Sequence, residues 1–227
     1  MTTTTSAWLR NLGRVLLVIL LASPLLTSCE ETNEDVVDEY SNWTARNDSA
    51  FASRLQQAKQ AIKNAQANYG TDWEDHCNWR ILRNYTIPVD GTFNTHDSIP
   101  VEIIAKGTGT VVPLYSDSVR ANYVGRLIPT SGHPNGYLFA NTGTSVNEDE
   151  TFSDKLCTPA LLLVSNNVQG FATALQHMHI GDLWRIYIHP ELGYGESATN
   201  SIPKHSMLTF TIQLKGIYRK GQIAGDW

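Results

Sequence analysis

Between Phe51 and Tyr69 the apolar residues Phe51, Leu55, Ala58, Ile62, Ala65 and Tyr69 recur at alternating spacings of four and three. That period places them on one stripe of an amphipathic helix, which Gly70 is suited to end. Asp48 or Ser49 can cap its start, although Val36, Tyr40 and Trp43 allow a longer helix beginning upstream. From Trp79 the pattern changes to short runs, at residues 79–85, 101–105 and 119–127, bounded by Pro, Gly, Asp and Asn; these predict strands. Residues 128–158 are rich in turn formers and predict a long loop of the kind that is functional or mobile. Phe171, Leu175 and Met178 then share one face of a short helix, for which Gly181 is the expected stop. After it the period becomes two: Leu183, Arg185 and Tyr187 point one way, Trp184, Ile186 and Ile188 the other. Pro190, which cannot donate to a ladder, ends that strand, and Tyr194 projects from a loop between Gly193 and Gly195.

Upstream of all this, Arg10 and Arg14 precede an apolar stretch from Val15 to Leu21 that is too short to span a membrane. Leu26-Thr-Ser-Cys29 resembles the lipobox of bacterial lipoproteins, which implies that residues 1–28 are a signal peptide and that Cys29 is lipidated. A plain secretory signal or an uncleaved anchor are the alternatives. The expected location is the bacterial cell envelope, as an outer-membrane lipoprotein facing the periplasm or the cell surface. Residues 29–42 are acidic and read as a solvated tether, or as a surface-export signal. The remaining expected boundaries are a helical segment at 43–78, a main domain at 79–218 and a tail at 219–227. The helical stripe has two candidate uses, packing on its own domain or pairing in a homodimer.

Composition narrows the chemistry. A net charge of -5 without Lys/Arg clusters argues against nucleic acid as a partner. Cys77 and Cys157 can pair as a disulfide in an oxidising compartment or remain two small buried thiols. His177 and His179 lie two apart at a helix end with His189 beyond; solvent-exposed helix-end histidines describe them better than a metal site. Glu191 and Glu196 flank Tyr194, yet a glycosidase would need a sugar cleft that a small domain hardly offers. No Gly-x-Ser-x-Gly, Walker or Rossmann motif is present, and no cofactor or metal is expected.

Several motifs stand in consistent order: Ala105-Lys-Gly-Thr-Gly109, Val119-Arg-Ala-Asn-Tyr-Val-Gly-Arg-Leu127, the stretch from Gln169 to Glu196, and Ile202-Pro-Lys-His-Ser-Met-Leu-Thr-Phe210. Together they resemble the FKBP-type peptidyl-prolyl cis-trans isomerases over about residues 101–218. The resemblance implies an α+β fold, a twisted antiparallel half-barrel around the short helix, preceded here by the separate amphipathic helix. It implies catalytic roles for Tyr123, Phe139, Tyr194 and Phe210, and substrate binding by Val168, Phe171 and Ile202. The implied function is a lipid-anchored prolyl isomerase acting on proline-containing exported polypeptides, without cofactor. Two departures stand out: Phe171 replaces the family's pocket-floor tryptophan, and Ala140 its pocket aspartate. The latter supports an alternative, a catalytically weakened chaperone or binding module on the same scaffold.

Overall fold

A computed structural model of the chain describes residues 38–88, 90–143, 152 and 156–225. Cys29, the leader before it and most of the acidic segment lie outside the described residues.

The first element among the described residues, α1 (Trp43–Tyr69), is a 27-residue helix that buries Trp43, Asn47, Phe51, Leu55, Ala58 and Ala65. Phe51, Leu55, Ala58 and Ala65 are the stripe expected from the sequence, extended upstream past Asp48 and Ser49, whereas Ile62 is half-buried and Tyr69, at the last turn, is exposed. Tertiary bonds explain the extension. Trp43 Nε1 donates to Ser206 Oγ at 2.9 Å, and the buried Asn47 amide donates to Trp43 O while its Oδ1 accepts the Met207 N–H at 2.8 Å. Asn42, in the left-handed region at φ 51°, precedes the helix without a side-chain cap. Gly70, at φ 57°, ends it as expected, and a 3-10 turn runs from Gly70 to Asp75.

Among the described residues seven strands follow: β1 (Trp79–Arg83), β2 (Ser98–Ala105), β3 (Ser118–Arg126), β4 (Leu138–Asn141), β5 (Ala160–Leu163), β6 (Leu183–Ile188) and β7 (Leu208–Tyr218). They form one antiparallel sheet in the order β1-β2-β6-β7-β3-β4, with β5 also paired to β3. One edge of β3 takes β7; along the other, β5 covers residues 118–121 and β4 covers 124–126. The expected α+β architecture is the one observed, with the short helix α2 (Gln169–Leu175) buried from Gly170 to Leu175.

Two local expectations change. The short helix does not run to Met178 with Gly181 as its stop: after Leu175 the chain tightens, with His177 and Met178 N–H groups bonding to Ala174 and Leu175 carbonyls three residues back. Gly181, at φ 96°, instead forms a turn against which Gly107 packs; a β-carbon on Gly107 would lie 2.2 Å from Ile180 O. Asp182 locks that contact, accepting from the Gly107 N–H at 2.6 Å and the His179 N–H at 2.7 Å. This is the structural reason for the Lys-Gly-Thr-Gly turn. On β6, Tyr187 is buried although it alternates with the equally buried Ile186. Its ring stacks on Trp79 at 6.0 Å, and the Arg54 guanidinium of α1 lies over it at 5.1 Å. The strand is therefore covered on both faces. Cys77 and Cys157 are two free buried thiols.

Candidate functional site

Phe210 on β7 pairs directly with Gly125 on β3 and with Ile186 on β6, in the middle of the sheet. Gly125 is needed there. A β-carbon at 125 would lie 2.6 Å from the Phe139 ring and 2.7 Å from the Phe210 ring, so the strand gives up a side chain to make room for two aromatics. Phe210 meets Phe171 edge to face at 4.9 Å and Phe139 at 5.3 Å; Tyr123 lies 6.0 Å from Phe171 and 6.3 Å from Phe210. Edge-to-face contacts of this kind satisfy the ring quadrupoles and hold each ring in one orientation. The sheet and the start of α2 thus bring four of the expected residues together. Phe171 and Phe210, 4% and 7% exposed, are floor; Ile202 is buried in the same core; Tyr123, Phe139 and Val168 are half-buried.

Val168 occupies the N-cap position of α2 with φ -57°. Its carbonyl accepts the Ala172 N–H at 3.0 Å, while its own N–H makes no hydrogen bond among the described residues. Tyr194 lies apart from the ring cluster: it is 41% exposed, and its hydroxyl makes no hydrogen bond among the described residues. Its loop is nonetheless fixed by backbone, since Pro190 O accepts both the Gly193 and Gly195 N–H groups, at 2.9 and 2.8 Å. A buried tyrosine needs an internal partner for its hydroxyl. Neither Tyr123, half-buried, nor Tyr194, exposed, is under that requirement. Ala140 is half-buried on β4, paired with Gly125.

The histidines are arranged differently from their sequence grouping. His177 is exposed and His179 lies 3.7 Å from Asp182, while His189 is 1% exposed and stacks on His96 at 3.8 Å with planes 11° apart. Burial first, then the neighbouring His96, lowers the His189 pKa to about 4. His96, His189 and Glu191 approach closely enough to suggest a shared cation. The stacked rings direct their lone pairs along parallel planes, and His189 Nδ1 already accepts the Glu191 N–H at 3.3 Å, so we assign no ion to the group. A cleft of about 740 Å³ lies between α1 and the outer sheet face, lined by Arg54, Glu102, Arg185 and Tyr187, away from the four rings.

Residues 111–215 match the family model for FKBP-type peptidyl-prolyl cis-trans isomerase. Over these residues, just under half of its length, the chain is similar to the FKBP-type isomerases. Among its relatives, the peptidyl-prolyl cis-trans isomerase Mip of Coxiella burnetii is 30% identical over 125 residues, 55% of this chain and 46% of that protein. Mip of Chlamydia muridarum is 36% identical over 92 residues, 40% of this chain and 35% of that one. The chain therefore spans less than half the length of either Mip protein. A peptidyl-prolyl cis-trans isomerase structure from Pseudomonas syringae pv. tomato aligns with a TM-score of 0.43 at 22% identity, covering 74% of this chain and 96% of that one.

Two contributors to this candidate site were missed in the sequence. Gly125 carries a readable signal, an isolated glycine inside a strand pattern, which marks close approach. The bonds from Trp43, Asn47 and Asp48 to residues 205–207 carry none, because the partners lie about 160 positions apart.

Proposed function

We propose that this chain is a peptidyl-prolyl cis-trans isomerase of the cell envelope, acting on proline-containing exported polypeptides and held at the membrane through Cys29. The observation that carries the proposal is the interlocked set of Tyr123, Phe139, Phe171 and Phe210, with an unbonded Val168 N–H at the start of α2 and an unbonded Tyr194 hydroxyl on its own loop. The barrier to X-Pro rotation is lost amide resonance, about 18–20 kcal/mol. Charge separation across the C–N bond falls as the amide twists, so an apolar aromatic surface disfavours the planar ground state relative to the twisted one. The Val168 N–H and the Tyr194 hydroxyl are donors for substrate carbonyls, fixing the chain on either side of the rotating bond. No nucleophile or metal enters this scheme. A protease-coupled assay on a prolyl tetrapeptide tests it: isomerisation above the uncatalysed rate is expected, and a folded protein that gives none sinks the enzyme claim.

One observation favours a second reading. Ala140 stands where the resemblance implies an aspartate, and neither Tyr123 nor Tyr194 has an internal partner for its hydroxyl among the described residues. The domain would then serve as a chaperone or binding module with weakened catalysis. Ala140→Asp separates the two: a large rate gain marks the natural protein as impaired, and no gain in an already active enzyme removes the reason for this reading.

A further inference from the structure

His205 has a left-handed backbone, φ 57°, a conformation that non-glycine residues seldom adopt. Its N–H donates to Gly195 O at 2.7 Å, and its ring nitrogens both face carboxylates: Nδ1 lies 3.2 Å from Glu196 Oε1 and Nε2 3.0 Å from Asp48 Oδ1. Only the imidazolium carries a proton on each nitrogen, so only the charged form satisfies both contacts. The next two residues are also bonded to α1, Ser206 accepting from Trp43 and the Met207 N–H donating to Asn47. Residues 205–207 therefore tie the first turns of α1 to the loop that carries Tyr194.

We propose that His205 is a positioning residue for Tyr194: protonated, it links Asp48 of α1 to Glu196 of the Tyr194 loop and makes α1 part of the support of the site. The proposal rests on the isomerase reading only in naming Tyr194 as the group whose placement matters. The charged and titratable groups around His205 are Asp48 from α1, Glu196 from the loop, and His189 at 6.2 Å, behind which stand His96 and Glu191. Burial opposes the charge on His205, but the hydrogen bonds to Asp48 and Glu196 outweigh it and raise its pKa above the ordinary imidazole value. When the proton leaves, one nitrogen becomes an acceptor facing a carboxylate, and the link to α1 or to the loop is lost.

The test is an NMR titration of the full chain, following the His205 ring, the Tyr194 ring and the Gly195 amide together. His205 is expected to titrate above the usual value of about 6.5, with the Tyr194 and Gly195 signals moving at the same midpoint. Asp48→Asn should lower that midpoint. His205→Asn, an exchange the left-handed backbone tolerates, should abolish the shared transition. In the isomerase assay the wild-type rate should fall about fivefold across the same window, the equivalent of one lost hydrogen bond, and the His205→Asn profile should be flat. A His205 ring that titrates without any response at Tyr194 and Gly195 overturns the proposal, as does a transition that persists in His205→Asn. If His205→Asn does not fold, an unchanged midpoint in Asp48→Asn overturns it equally. An inactive wild type with the shared titration intact would remove the isomerase reading and leave the positioning role supported.

Discussion

Phe210 touches three other rings, and the space it fills exists because residue 125 has no side chain. At this scale the proposed function rests on donors as much as on rings, and Val168 offers a clean experiment. Its φ of -57° suits proline, the preceding Asn167 is extended at φ -106° and ψ 161°, and no hydrogen bond from its N–H is lost within the described residues. Val168→Pro should therefore fold normally while removing the proposed substrate donor. The expected result is a fall of about tenfold in kcat/KM, the equivalent of ~1.4 kcal/mol of transition-state binding. Full activity in a folded Val168→Pro protein would show that this N–H holds no substrate. The two histidines near the site should act oppositely on stability. His189 has its folded pKa lowered to about 4, so the unfolded chain binds its proton first; its contribution is present above pH about 6.5 and is lost as pH falls toward 4. His205, with a raised folded pKa, contributes below about 6.5 and loses that contribution as pH rises through the folded value. Urea midpoints at pH 6.5 and pH 4.5 should therefore drop more in wild type than in His189→Leu, and an identical drop in both would contradict the assignment.

Among the elements, what was legible followed periodicity. The α1 stripe, the α2 face through Phe171 and Leu175, and the β6 alternation were all readable, because burial on one side imposes a fixed period on the sequence. What was not readable depended on distant partners. Asn47 begins the buried face of α1 with Trp43 because its amide completes the Met207 backbone, and no local propensity encodes that bond. Tyr187 is buried because α1 covers the outer face of β6, which alternation alone assigns to solvent. Asn47→Ala should leave the Met207 N–H buried without a partner and cost about 1–3 kcal/mol. Urea denaturation measures the loss, and hydrogen exchange at Met207 should quicken alongside it. A cost within about 0.5 kcal/mol, the range of an unremarkable surface change, would mean that α1 does not brace this segment.

At the scale of the whole molecule, the residues of the aromatic set were identified through motifs in register, whereas strand order and the clasp between α1 and residues 205–207 became visible only in the assembled chain. The motifs were readable because each packs against a neighbour with little tolerance, as Gly107 does against Ile180 and Gly125 against two rings. The anchor is a separate matter of the leader. Under the proposal, Cys29→Ala should leave the domain folded but release it from membranes or stall precursor processing, since the acidic segment after it is hydrophilic in composition. Cell fractionation reads this out, and a normally processed variant that stays with washed membranes would contradict it. The central claim, that this domain turns X-Pro bonds, is tested most directly by exchange NMR on a short prolyl peptide whose cis and trans forms give separate resonances. The uncatalysed exchange takes about 10–100 s. With substoichiometric protein, cross-peaks between the two forms should appear within about a second, and Val168→Pro should weaken them. Cis and trans signals that exchange no faster with the folded protein than without it would contradict the account.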